Sequence, residues 1–212
     1  FMLKFLPESV AFLMAQKREG EARDILTQVA PLKHINEQDV LGVPPTPDSK
    51  APVLELFRDG RAMSTLMFWV AFFCCLLMVY ALGSWLPKLM SNAGYALSSS
   101  LMFLMVLNVG AIIGAVGGGW LADRLSLRSV LVSFFILGSG SLVLLGYESP
   151  MWFLYTLVGI AGATTIGSQI LLYAYVAQYY PTSIRSTGLG WASGIGRNGA
   201  IVGPLLGGAL LA

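Results

Sequence analysis

Charged residues divide this chain into long silent intervals. From Ala62 to Pro87 no charge interrupts a run rich in Phe, Leu and Met, and a bilayer-crossing helix needs roughly 20 mostly apolar residues. Residues 89–122 are also uncharged, but Ser91-Asn92-Ala93-Gly94 and Ser98-Ser99-Ser100 make the front a loop and leave a helix over about 101–122. A third interval covers 129–147. Pro150 opens a fourth, about 151–177, closed by Tyr179-Tyr180-Pro181 because proline ends helices. The fifth, about 187–212, is interrupted only by Arg197. The first 61 residues have a different pattern. Mixed charges over residues 8–30 predict a soluble amphipathic helix, Pro44-Pro45-Thr46-Pro47 a stiff linker, and the apolar stretch 3–6 before Pro7 the tail of a preceding span.

Composition sharpens this into an integral membrane protein. Only 11% of the residues are charged, against about 25% in soluble domains. Seventeen of the 24 charges lie in residues 1–61. The net charge of +2, with no basic run, argues against nucleic acid. Cys74 and Cys75 are adjacent in an apolar run and read as small hydrophobes facing lipid or core. The start at Phe1, with no signal peptide, reads as part of a longer chain. If residues 1–61 are cytoplasmic, that segment and the loops near 123–128 and 179–186 hold eleven Lys/Arg, against Lys88 alone in the opposite loops. The positive-inside rule then puts the N-terminal segment inside and Ala212 outside.

The clearest local motif is Gly119-Trp120-Leu121-Ala122-Asp123-Arg124-Leu125-Ser126-Leu127-Arg128, between the second and third spans. Asp123 at a helix end could accept hydrogen bonds from the start of a neighbouring helix. Arg124 and Arg128 could pair with carboxylates or anionic headgroups, and Gly119 permits close approach. On spacing alone the motif serves equally as a conformational latch or as a basic turn that fixes topology. It resembles the loop signature of the major facilitator superfamily between helices 8 and 9, although Ser126 and Leu127 stand where that signature has Gly and Arg.

Further stretches are similar to one family within it, the aromatic acid:proton symporters. Leu6-Pro7-Glu8-Ser9 with Phe12-Leu13 resembles the end of helix 6, and Ser84-Trp85-Leu86-Pro87-Lys88-Leu89 the helix 7–8 connection. Tyr180-Pro181-Thr182-Ser183, Arg185, Thr187-Gly188, Gly194-Ile195-Gly196-Arg197 and Gly203-Pro204-Leu205-Leu206-Gly207-Gly208 resemble helices 10–11. The resemblance implies an all-α membrane bundle, the C-terminal half of such a transporter. Residues 1–61 would be the end of helix 6 and the cytoplasmic central loop, and 62–212 a five-span bundle, helices 7–11. It further implies a bacterial, multi-pass protein of the inner membrane. Its cargo would be a small aromatic acid such as benzoate or hydroxybenzoate, its coupling ion the proton, and its partners the bilayer and an N-terminal half. Arg185 falls on the family's cytoplasmic loop motif. The alternative is a carrier of the same superfamily for a sugar or organic ion.

Arg197 lies about 16 Å along the fifth span at 1.5 Å per residue. An arginine at mid-membrane costs roughly 2.5–3.5 kcal/mol on insertion scales and usually faces a bundle interior or wet cavity. There it either grips a carboxylate in bidentate fashion, snorkels to the interface, or pairs structurally with a carboxylate elsewhere. Helical spacing puts Ser193, Gly194, Ala200, Ile201 and Pro204 on its side and Gly199, Gly203 and Gly207 opposite. Asn108, flanked by Gly110, Gly114 and Gly118, is a second candidate. So are the face of Thr165, Gln169 and Tyr173 and that of Tyr80 and Ser84. These groups either hydrogen-bond a small polar aromatic ligand or tie helices together. Met67, Phe68, Trp69, Phe72 and Phe73 read as lipid-facing, and His34 as a solvated loop residue.

Enzyme chemistry needs a nucleophile with a base, paired aspartates or metal ligands at membrane depth. Residues 62–212 contain no His, and their only carboxylates, Asp123 and Glu148, lie at helix ends. Neither an enzyme nor a metal or cofactor site is expected. A passive membrane anchor would not need a mid-span arginine.

Overall fold

The structure is a computed structural model that describes residues 10–16, 18–29, 52–147 and 149–211. These fall in two units divided between Asp48 and Ser49. In the first, the interval expected as one helix is two, α1 (Val10–Ala15) and α2 (Glu19–Val29), packed on each other. The chain turns between them where the Arg18 amide donates to the Leu13 carbonyl at 2.9 Å. The Arg18 guanidinium pairs with Glu21 at 2.6 Å. Residues 3–7, His34 and the Pro44–Pro47 stretch lie outside the described residues.

The second unit opens with a short helix, α3 (Pro52–Glu55), and continues through α4 (Ala62–Asn92), α5 (Leu97–Arg124), α6 (Leu127–Leu145), α7 (Met151–Tyr179) and α8 (Arg185–Leu211). All described elements are helical. Helices are required here because a bilayer offers no water to satisfy backbone amides. α4 continues past Pro87 to Asn92, five residues beyond the expected end. Gly94, at φ +92°, then turns the chain into α5. α4 to α7 are long and apolar enough to cross a membrane. α8, with 27 residues, is long enough at 1.5 Å per residue, but eight glycines and two arginines make it less apolar.

Two tight pairings organise this unit, α4 with α8 and α5 with α7, and α6 lies against α7. Glycine makes both pairings possible. A Cβ on Gly110 would run into the Gly159 carbonyl, and one on Gly114 into that of Ala163. On α8, a Cβ on Gly203 would stand 2.6 Å from the Leu77 carbonyl oxygen, and the Gly199 position presses on Phe73 in the same way. The expected small-residue stripes are therefore helix–helix seams.

Packing overturns one expectation. Phe72 is fully buried and Phe68 nearly so, in a core with Leu171, Val176, Tyr180 and Ala192. Trp69 stacks on Trp191, with ring centres 6.0 Å apart, and Phe73 is half-buried. Of the five side chains expected to face lipid, Met67 alone is exposed. α4 is apolar all round, so the sequence pattern carried no direction, and it is packed on several sides by α5, α7 and α8. Cys75 is buried and Cys74 exposed, both as free thiols.

Candidate functional site

Three helices meet around a cavity of about 460 Å³, a size within the range of roughly 300–1,000 Å³ usual for small-ligand sites. α4 supplies Leu76 and Tyr80, α7 supplies Gln169 and Tyr173, and α8 supplies Ser193, Arg197, Ala200 and Ile201. The helical spacing that put Ser193, Ala200 and Ile201 beside Arg197 matches this lining. Gln169 and Tyr173, one turn apart, project from α7 toward it. Tyr173 is held by an edge-to-face contact with Phe72 at 4.7 Å.

The polar groups of this cavity are unspent. Among the described residues, the Tyr80 and Tyr173 hydroxyls, the Gln169 amide and the Arg197 guanidinium have no hydrogen-bond or ion-pair partner. Ser193 alone is satisfied, donating to the Gly190 carbonyl at 3.1 Å. Among the described residues no carboxylate lines the cavity, so one cation stands among neutral donors and acceptors on an apolar floor of Leu76, Ala200 and Ile201. Such a wall complements an anion carrying a small hydrophobic body and further polar substituents.

Several predicted residues are elsewhere. Asn108 does not line this cavity. It follows from the α5–α7 seam, because Asn108 precedes Gly110 by two residues, about 200° around the helix, and so points away from α7. Its amide donates to the Leu104 carbonyl at 2.7 Å on its own helix. Thr165 likewise bonds back to Ala161 at 2.7 Å and faces a separate, mainly apolar crevice with Cys74 and Phe135. Gly194 faces a third hollow on α8 with Trp191 and Asn198. The Pro204 carbonyl receives the Trp85 indole at 2.8 Å, and Ser84 is exposed.

At the α5–α6 turn, the residue capping α6 is Ser126, which accepts from the Ser129 amide at 3.2 Å. Asp123 lies in the last turn of α5, exposed and without an ion pair among the described residues. The Arg124 guanidinium sits 4.4 Å over the Trp120 ring, a cation–π contact. Arg128 is exposed on the first turn of α6, and Gly119 has open space where a side chain would project. Arg185 reaches the Tyr180 carbonyl at 3.5 Å, at the limit of a hydrogen bond.

Sequence reasoning missed Tyr180. Its ring is buried, and its hydroxyl meets Thr65 at 2.8 Å across 115 residues of chain. Burial pushes the phenol above its ordinary range. The sequence signals were an aromatic pair before a proline and the place of Tyr180 in the stretch resembling helices 10–11, and neither points to Thr65.

The profile of the Major Facilitator Superfamily matches residues 5–204. The chain belongs to the Major Facilitator Superfamily. Among its relatives in that superfamily is the benzoate transport protein of Acinetobacter baylyi, 47% identical over 99% of this chain and 46% of that protein. The gentisate transporter of Corynebacterium glutamicum is 44% identical over 78% of this chain and 37% of its own. A 4-hydroxybenzoate transporter of Pseudomonas aeruginosa is 33% identical over 97% and 47%. The chain spans about half the length, or less, of these relatives. It is thus a multi-pass membrane protein of a transporter superfamily, not an enzyme.

Proposed function

We propose that this chain is the C-terminal half of a transporter that carries small aromatic carboxylates, such as benzoate or a hydroxybenzoate, into the cell with protons across the inner membrane. The observation that carries this reading is the convergence of Arg197, Gln169, Tyr173 and Tyr80 on one cavity with their polar groups unpaired. The carboxylate pairs with Arg197, the ring lies on Leu76 and Ile201, and the neutral groups address ring substituents. The names of the relatives support the cargo class. With no carboxylate among the described residues of the cavity to carry a coupling proton, that task falls to the N-terminal half. The N-terminal segment lies inside, and Asp123, Arg124, Arg128 and Gly119 form a latch at the cytoplasmic face. There the exposed Asp123 is free to pair and unpair as the halves rock.

The test is proton-driven uptake of labelled benzoates by the full-length transporter in proteoliposomes. Arg197→Lys keeps the charge but loses the planar fork and should raise the half-saturation concentration. Arg197→Gln should abolish uptake at matched abundance. Normal transport by Arg197→Gln would move the carboxylate site elsewhere. Uptake of sugars and no aromatic acid by the wild type would overturn the cargo class.

A further inference from the structure

Tyr180 follows the last residue of α7, and three elements close on its ring and hydroxyl. Thr65 and Phe68 reach it from α4, with Phe68 edge-on at 6.1 Å. From α8, Gly188 lies so close that a Cβ there would stand 2.5 Å from the ring. The third element is the turn after α3. The Thr65 hydroxyl meets the buried Leu56 carbonyl at 2.8 Å as well as the Tyr180 hydroxyl. A threonine hydroxyl has one proton to give. Leu56 offers only a carbonyl there, so Thr65 donates to Leu56 and the Tyr180 phenol donates to Thr65. The direction of this two-step chain is therefore determined, and both links are buried.

α4, α7 and α8 are the three helices that line the Arg197 cavity. Tyr180 ties them at their shared end, and α8 starts five residues later. Arg197 stands twelve residues into α8, so the rotation of the first α8 turn against Tyr180 sets which way its side chain points. We propose that Tyr180, through the hydroxyl chain to Thr65 and Leu56, is a positioning residue that holds Arg197 toward Tyr80 and Gln169, a role that rests on the cargo reading of the cavity. The ring wedges α8 away from α7, and the hydroxyl chain keeps α4 from sliding past them.

The direction of the chain ranks its variants. Tyr180→Phe removes one donor and leaves Thr65 bound to Leu56. Thr65→Val strands both the Tyr180 donor and the Leu56 carbonyl, and unpaired buried groups cost more than absent ones. The double variant removes the stranded phenol, so it should be milder than Thr65→Val alone. In the full-length transporter, Thr65→Val should raise the half-saturation concentration for benzoate roughly three- to ten-fold, with little change in maximal rate at matched abundance. Tyr180→Phe should raise it less.

A second readout needs no cargo. With Cys74 and Cys75 replaced and Ser193→Cys as reporter, the rate of modification by a charged thiosulfonate measures how α8 presents its cavity face. Thr65→Val should change that rate at least two-fold, and the double variant should restore it part of the way. A changed rate in a transporter that takes up no aromatic acid would support the positioning role while refuting the cargo reading. Unchanged modification rates in Thr65→Val, or a double variant worse than both singles, would overturn the proposal.

Discussion

Along one face of α7, Gly159, Gly162 and Ala163 meet α5 so closely that the backbones touch, and glycines at 110 and 114 complete the fit from the other side. Along another face, Gln169 and Tyr173 look into an open cavity toward Arg197 with their polar ends unpaired. In the first region side chains have been removed until only backbone contact remains, and the polar groups nearby, Thr164 and Thr165, turn back onto their own helix. In the second, polar side chains stand on otherwise apolar helices without partners among the described residues, although insertion into lipid would penalise them. Between helices in lipid, where burial against a neighbour gains little over burial in acyl chains, close packing supplies the adhesion. The contrast teaches where to look for work: the seam holds the bundle together, and the cavity keeps polar groups unpaired, as the proposed recognition of a cargo requires.

The seam should be the less forgiving region. Gly114→Leu would drive a side chain into the Ala163 backbone. The full-length protein should lose about 3 kcal/mol or more of stability, read as thermal unfolding in detergent and as lost membrane abundance. Gly140 on α6 is the control, since nothing lies within 4 Å of a Cβ built there. Equal loss in Gly140→Ala would erase the distinction between packed and open glycines.

The proposed latch, which is exposed, should show the reverse signature. Asp123→Asn should slow transport at least about ten-fold, equivalent to about 1.4 kcal/mol of barrier, at nearly normal abundance. Unchanged uptake would reduce the Asp123 motif to a topology signal.

Within the cavity, the neutral groups should discriminate among cargos. Gln169→Ala or Tyr80→Phe should raise the half-saturation concentration for a hydroxybenzoate roughly five-fold, about 1 kcal/mol, while leaving benzoate little changed. An equal effect on both cargos would make these residues structural. The smallest effect is that of Gly140→Ala itself, neutral or stabilising by up to about 1 kcal/mol, since alanine is the better helix former.

The helical character of this chain was legible because charges interrupt the apolar runs so rarely. Arg197 and its neighbours Ser193, Ala200 and Ile201 were legible because helical spacing alone places them on one face. Direction was not legible where a helix is apolar all round. The burial of Phe68 and Phe72 depended on which sides of α4 its neighbours cover. Asn108 looked equivalent to Gln169 until the α5–α7 seam oriented α5. The Thr65–Tyr180 pairing joins residues far apart in the chain, and no local pattern encodes it.

The most direct test of the central claim is equilibrium binding of labelled benzoate to the purified full-length transporter, comparing wild type, Arg197→Lys and Arg197→Gln at matched folded fraction. The account predicts saturable binding by the wild type, weakened binding by Arg197→Lys and none by Arg197→Gln. Undiminished binding by Arg197→Gln would contradict it, and would leave the cavity between α4, α7 and α8 without a carboxylate to hold.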